Sequence, residues 1–221
     1  MKTLCLRCWG EFALFTRPEF KVERVSYDVP TPSAIEGVLK AIFWKPEFDW
    51  IIDEVWLLKP IKHFSILRNE VKLTQSVERD GFVASEQRTQ RHSLVLKDVD
   101  YLIKAHMKLK PFADNPVKAY EDQFKRRLES GQYFHHPYFG CREFVAFFDK
   151  QDEAELPTPI DYTADLGLML TNIKYVPDPN GPITFKVKDS QGVKVVNGRA
   201  IAQYSNLKIE KGVIHVPQSV A

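Results

Sequence analysis

The chain has 221 residues, 44% of them hydrophobic, and a formal net charge of +2, enough for one large or two small domains with a real core and too little excess charge to imply a nucleic-acid partner from its balance alone. No stretch approaches the ~18 consecutive apolar residues of a membrane helix, and the opening MKTLCLRCWGEF is too short and too polar after Leu6 for a signal peptide, so no membrane partner is expected. Three cysteines cannot all pair, and a reducing cytoplasm is the expected location.

Thr3 to Trp9 reads as a strand with Leu4, Leu6 and Cys8 on one face; Cys5 and Cys8 then point oppositely, which argues against a redox or zinc site. Glu11 to Val29 is a long polar connection carrying Arg17, Lys21 and Arg24. A helix opens at Thr31-Pro32, buries Ile35, Val38, Leu39 and Ile42, and stops before Pro46, leaving Phe43-Trp44-Lys45 at its end. Ile51 to Leu58 is a mostly buried strand. Lys59 to Lys97 has no sustained period and is rich in Lys59, Lys62, Arg68, Lys72, Arg79, Arg88 and Arg91, the pattern of a long irregular insertion.

Val99 to Lys110 alternates cleanly. Val99, Tyr101, Ile103, Ala105, Met107 and Leu109 face a core, and Asp100, Leu102, Lys104, His106, Lys108 and Lys110 form a wet, positive face. Asn115-Pro116 predicts a capped helix start, Gly131 its end, and Val117, Tyr120, Phe124 and Leu128 its apolar stripe; Lys118, Lys125, Arg126 and Arg127 make the rest basic. The loop Tyr133-Phe134-His135-His136-Pro137-Tyr138 and a strand, Arg142 to Phe148, follow. The order β-α-β-β-α-β predicts an α+β fold with a ferredoxin-like (RRM-like) N-terminal domain, residues 1–150, carrying long insertions. The acidic segment Asp149 to Thr163, with Asp152, Glu153 and Glu155, reads as a linker to a small antiparallel β domain, residues 151–221. That domain reads as a meander of Leu168–Val176, Ile183–Lys188, Val193–Val196, Leu207–Glu210 and Val213–Val216, turned at Asp178-Pro-Asn-Gly, Gln191-Gly192, Asn197-Gly198 and Lys211-Gly212.

Lys118 near a helix start is a mild misfit, unfavourable by ~0.3–1 kcal/mol when exposed, and a phosphate bound there would reverse the sign. Asp98 and Asp100 could serve a two-metal nuclease, but they sit where a strand begins, a usual place for turn aspartates, and no histidine–carboxylate spacing supports a cage. His135 and His136 are adjacent and badly placed to share one ion; Cys141 has no nucleophile signature around it, and no glycine-rich phosphate loop is present. No metal and no cofactor are therefore expected. What remains is a basic surface with interleaved aromatics, in which cations hold phosphates and rings stack on unpaired bases.

Trp9-Gly10-Glu11-Phe12-Ala13-Leu14-Phe15-Thr16, Val25-Ser26-Tyr27-Asp28-Val29-Pro30-Thr31-Pro32, Trp44-Lys45-Pro46, Lys104-Ala105-His106 and Phe139-Gly140-Cys141-Arg142-Glu143-Phe144 together resemble the CRISPR-associated Cas-five family, Dvulg subtype, over about residues 1–150. The resemblance implies a metal-independent endoribonuclease of type I-C systems that cuts precursor CRISPR RNA beside the repeat hairpin, keeps the 5′ handle of the guide, and assembles into Cascade. Its partners would be repeat RNA and guide RNA, other Cascade subunits and, as a further candidate, double-stranded DNA. The family's catalytic set is a tyrosine just before Trp-Lys-Pro and a Lys-His pair at the start of the second helix. Here those positions hold Phe43, which lacks the hydroxyl, Lys118, and Ala119, with Tyr120 one residue further on. Lys118, Tyr120, Phe43 and His106 are thus the candidate catalytic positions, and Lys104, Lys108, Lys110, Lys125, Arg126, Arg127, His135 and His136 the candidate RNA-binding residues. Tyr120, His106, His135 and His136 all remain open as proton carriers. The alternative from another class is a structural subunit that binds guide RNA without cutting.

Overall fold

Why the chain folds as it does is clearest along β4, which pairs with three other strands. A computed structural model of the chain describes residues 3–20, 22–73, 81–152, 154–189 and 192–217; Lys21, Arg79, Glu153 and Gln191, named from the sequence, lie outside these. The elements in order are β1 (Leu4–Ala13), α1 (Pro32–Ile42), β2 (Phe48–Leu57), β3 (His63–Val71), β4 (Arg88–Leu109), α2 (Val117–Glu129), β5 (Phe147–Lys150), β6 (Ala164–Pro177), β7 (Ile183–Asp189), β8 (Gly192–Ile209) and β9 (Val213–His215). It is a mixed α and β protein built mainly of antiparallel sheets. One sheet runs β5-β1-β4-β2-β9, with β3 paired to the first half of β4, and a second runs β6-β8-β7.

Both helices cover one side of the first sheet. Leu6 and Cys8 of β1, Trp50, Ile52, Val55 and Leu57 of β2, and Tyr101, Ile103, Ala105 and Met107 of β4 meet Ile35, Val38, Leu39 and Ile42 of α1 and Tyr120, Phe124 and Leu128 of α2 in one buried cluster. Each large apolar side chain buried there contributes roughly 1.5–3 kcal/mol. Thr31 caps α1 as its sequence predicts, its hydroxyl accepting from Ala34 N at 3.2 Å with Pro32 in the first turn.

Four local expectations are revised. The expected irregular insertion is largely a hairpin: β3 pairs with β4 from His63↔Leu96 to Val71↔Arg88. Its outer part is exposed or half-exposed on both faces, so no apolar alternation marks it; ion pairs Arg24–Glu70, Arg91–Glu70 and Arg68–Glu143 tie it down instead. α2 takes Pro116, not Asn115, as its cap residue, in an extended conformation with no side-chain cap, because the ring already fixes the φ of −66° from which the helix starts. At its other end Gly131, at φ 62°, closes the helix through Gly131 N–Leu128 O and Gln132 N–Arg127 O bonds of 3.1 and 2.8 Å. β5 starts at Phe147 rather than Arg142, since Phe139 to Phe144 turns back on itself with Phe144 N donating to Cys141 O at 2.9 Å.

The fourth revision concerns β8, a single strand where two were expected. Asn197-Gly198 does not turn, because Gly198 is paired on both sides, with Pro177 of β6 and Ile183 of β7. A side chain at Gly198 would meet Val176 O and the Phe185 ring, so the glycine serves close strand approach. β9 then returns the chain to the first sheet, Val55 pairing with Ile214. Among the described residues no helix is long and apolar enough to cross a membrane.

Gly140 fixes how the Phe139–Phe144 turn docks on β1. It sits at φ 81°, and an added Cβ would lie 1.9 Å from Leu14 O. Gly140→Ala is expected to lower the unfolding free energy by about 1–3 kcal/mol or more in a urea titration. Unchanged stability would contradict this docking.

Candidate functional site

The candidate residues divide between the two sides of the first sheet. On the side away from the helices, the expected wet, positive face of β4 is instead a network of matched charges. Lys104 Nζ lies 3.1 Å from Glu54 Oε2 and 4.1 Å over the Trp56 ring, Lys110 is paired to Asp49 at 3.0 Å, and His106 Nδ1 lies 2.9 and 3.0 Å from the two Asp53 oxygens. Leu102, at the centre of the same row, is fully buried. Of those cations only Lys108 is exposed with no ion pair among the described residues. Asp53 occupies a register shift between Ile52 and Glu54, which brings its carboxylate to His106.

Arg7 completes this network. Its Nε and Nη2 donate to the two oxygens of buried Asp100 at 3.0 and 2.7 Å, and that bonding raises the guanidinium pKa against the cost of burial. Asp98, in a left-handed conformation, bonds Lys59 at 2.7 Å and is held below the ordinary carboxyl value by that lysine first. The two carboxylates considered for metal binding are therefore each engaged with a cation. Among the described residues no group of three histidines, cysteines or acids is placed to hold a metal ion. Cys5 and Cys8 point to opposite faces of β1, and burial pushes the Cys8 thiol well up. Cys141 Sγ accepts instead from Arg24 and Arg68, at 3.7 and 3.9 Å.

On the helix side, α1 ends against α2. Phe43 is fully buried, its ring 5.5 Å from Phe48 and 6.4 Å from Phe124, with the Arg127 guanidinium 5.2 Å over it. Arg127 Nη1 also donates to Ile42 O at 2.7 Å, capping the helix end. Tyr120 is buried on the α2 stripe, 5.4 Å from Phe48. Lys118 is the second residue of α2, exposed and without an ion pair among the described residues. The loop after α2 comes back to the same place, as Phe134 N and His135 N both donate to Ala41 O, at 2.8 and 3.2 Å. His135 is exposed and stacks on Tyr138 at 6.4 Å; His136 Nδ1 is 3.0 Å from Pro137 O, which favours the tautomer with Nε2 free to take a proton.

The structure thus gathers Phe43, Tyr120, Arg127 and His135 around the α1–α2 junction and leaves His106 on the far side of the sheet. Sequence reasoning missed Asp53, although the buried positions Phe48, Trp50, Ile52, Val55 and Leu57 skip a residue after Ile52, a bulge signal. It also gave no role to Trp44 or Phe134.

Known proteins resemble this chain over nearly its full length. Residues 3–217 match the family described as CRISPR-associated protein (Cas_Cas5). A curated relative from Thermus thermophilus, "CRISPR pre-crRNA endoribonuclease Cas5d", is 46% identical over 218 residues, 98% of this chain and 92% of the relative. One of the same name from Mannheimia succiniciproducens is 41% identical over 208 residues, 85% of this chain and 92% of the relative. A solved structure, "Crystal Structure of CRISPR-associated Protein", superposes with a TM-score of 0.67 at 24% identity, covering 98% of this chain and 92% of that one, a likeness of fold alone.

Glu54 makes the charge network testable by pH. Burial raises its pKa, but bonds from Trp56 and Lys104 and the nearby His215 outweigh burial and hold it below the ordinary value. A carboxyl depressed in the folded state adds stability above its unfolded pKa of about 4.3, lost as pH falls through the folded value. Glu54→Gln should therefore melt below wild type at neutral pH and converge on it as pH drops below about 4. A gap independent of pH would contradict the network.

Proposed function

Given that this chain belongs to the Cas5d family of CRISPR-associated proteins, we infer that it is an endoribonuclease that cuts precursor CRISPR RNA. The observation that carries this is the 46% identity, extending over 98% of the chain, to a relative named for that activity. The finer chemistry is our proposal. A ribose 2′-OH attacks the adjacent 3′-phosphate in line, the 5′-oxygen leaves, and the products carry a 2′,3′-cyclic phosphate and a 5′-OH. This needs a base at the 2′-oxygen, an acid at the leaving oxygen and a cation on the developing charge.

Lys118 takes the last role: it matches the family lysine, it is exposed, and it stands in the first turn of α2 beside N–H groups with no intrahelical partner. Phe43 and Ala119 have no proton to give at the other two family positions. His135 is our first proton carrier, because its backbone bond to Ala41 O holds it at the same end of α1 as Phe43. His106 is turned to Asp53 on the far side of the sheet, and Tyr120 is committed to packing on Phe48. Lys125, Arg126, Arg127 and His136 are proposed to grip the RNA; Lys104 and Lys110 already neutralise Glu54 and Asp49, and Lys108 shares their face, away from the helices. Metal-independent cutting is part of the proposal, supported by the engagement of Asp98 with Lys59 and of Asp100 with Arg7.

The strand order β5-β1-β4-β2, fully antiparallel, with α1 between β1 and β2 and α2 between β4 and β5, supports a ferredoxin-like reading of residues 1–150. The β6-β8-β7 sheet supports a small β unit within residues 151–221, from which β9 leaves to pair with β2 and Met169, Leu207 and Ile209 join the main core. Assembly with other Cascade subunits and contact with double-stranded DNA remain proposals resting on the family resemblance. A second reading, a subunit that binds guide RNA without cutting, is favoured by Phe43 and Ala119.

Incubation with labelled repeat RNA in excess EDTA separates the two readings. We expect cutting by wild type and a fall of about 100- to 1000-fold for Lys118→Ala, the scale of one lost transition-state donor, with RNA binding retained. Tyr120→Phe should cut normally and His135→Ala slowly. Binding without any cleavage by wild type would establish the second reading, and cleavage restored only by magnesium or manganese would redirect attention to Asp98 and Asp100.

A further inference from the structure

Phe134 is 79% exposed and Trp44 54%, and core packing accounts for neither ring. Both stand at the end of α1: Trp44 follows fully buried Phe43, and the Phe134 backbone N–H donates to Ala41 O at 2.8 Å. The cations nearby are not spent on acids. Lys45 and Arg126 form no ion pair among the described residues, and Arg127 gives a hydrogen bond to a carbonyl, Ile42 O, rather than to a carboxylate. On the far side of the same sheet, Arg7, Lys104 and Lys110 are each matched to an acid. Exposed rings among unmatched cations complement a ligand with flat apolar faces strung on negative charges, which describes unpaired nucleotides.

Resting on the endoribonuclease reading, we propose that Trp44 and Phe134 form a stacking subsite for unpaired bases of the repeat RNA beside the cleaved linkage, with Lys45, Arg126 and Arg127 on the neighbouring phosphates. Both rings stand at the α1 end that carries Phe43, so bases held on them set the register of the strand that runs on to Lys118 at the start of α2. Stacking discriminates little between bases and works only on unpaired ones, so the subsite selects single-stranded sequence next to a hairpin.

The test is the affinity of wild type and of Phe134→Ala, Trp44→Ala, Phe134→Tyr and Trp44→Phe for labelled repeat RNA and for a single-stranded uridine oligomer, across a salt series, with melting temperatures measured alongside. Each alanine variant should bind about tenfold more weakly at every salt concentration, with an unchanged log–log salt slope because no phosphate contact is removed. The ring-keeping variants should bind as wild type does, and all should fold, the rings being exposed. Phe134→Ala and Trp44→Phe decide the matter if Trp44→Ala is unstable. Wild-type affinity in Phe134→Ala, with wild-type protein still cutting repeat RNA, would overturn the subsite alone and leave the patch to a protein partner. Failure of wild type to bind repeat RNA at all would overturn the endoribonuclease reading with it.

Discussion

Strand β4 is the constraint on which the rest of the structure depends. Its 22 residues pair with β3 along the first half and with β1 and β2 along the second, and a strand with partners on both edges must satisfy two faces at once. Toward the helices it supplies Tyr101, Ile103, Ala105 and Met107 to the core. Away from them it carries Asp100, Lys104 and His106, and β1 and β2 answer with Arg7, Glu54 and Asp53. Half-buried charges are tolerable there because each is matched and hydrogen-bonded.

This arrangement decides where a polyanion can bind. A cation held by a carboxylate offers little to a phosphate, so the basic strand face that composition suggests is electrostatically spent. The cations at the α1–α2 junction that have no ion pair among the described residues, Lys45 and Arg126, lie instead beside exposed aromatics and Phe43, while Lys118 stands at the other end of α2. On the family resemblance, Phe43 and Ala119 stand where a hydroxyl and an imidazole are expected, and His135 stands on a loop bonded to the helix end that carries Phe43. On the proposed reading, the chemistry falls to Lys118 as charge stabiliser and to His135 as proton carrier.

Much of this was legible in the sequence, and the rest was hidden for physical reasons. Thr31-Pro32 with Ile35, Val38, Leu39 and Ile42 marked α1 because a capped, one-sided helix leaves a local signature. The core-facing row of β4 and the α2 stripe were equally plain, since each repeats at its own period, whereas the burial of Asp100 and Leu102 on the other face of β4 was not. The β3 hairpin was not, because a ribbon exposed on both faces has no alternation to read. Asn197-Gly198 looked like a turn and lies inside β8, where pairing on both edges overrides a local preference. The family motifs located Phe43 and Lys118 without their surroundings: Arg7 and Asp100 are 93 residues apart, and only the fold joins Ala41 to Phe134 or His106 to Asp53.

The central claim, that RNA meets the α1–α2 junction and not the paired-charge face, is tested most directly by crosslinking. Repeat RNA carrying photoreactive thiouridine beside its hairpin would be irradiated on the intact protein and the attached peptides identified by mass spectrometry. The account predicts attachment at Trp44-Lys45, around Lys118, and at Phe134 to His136. Attachment concentrated on Trp56 and the Lys104–Lys108 stretch of β4, with the junction unlabelled, would contradict it.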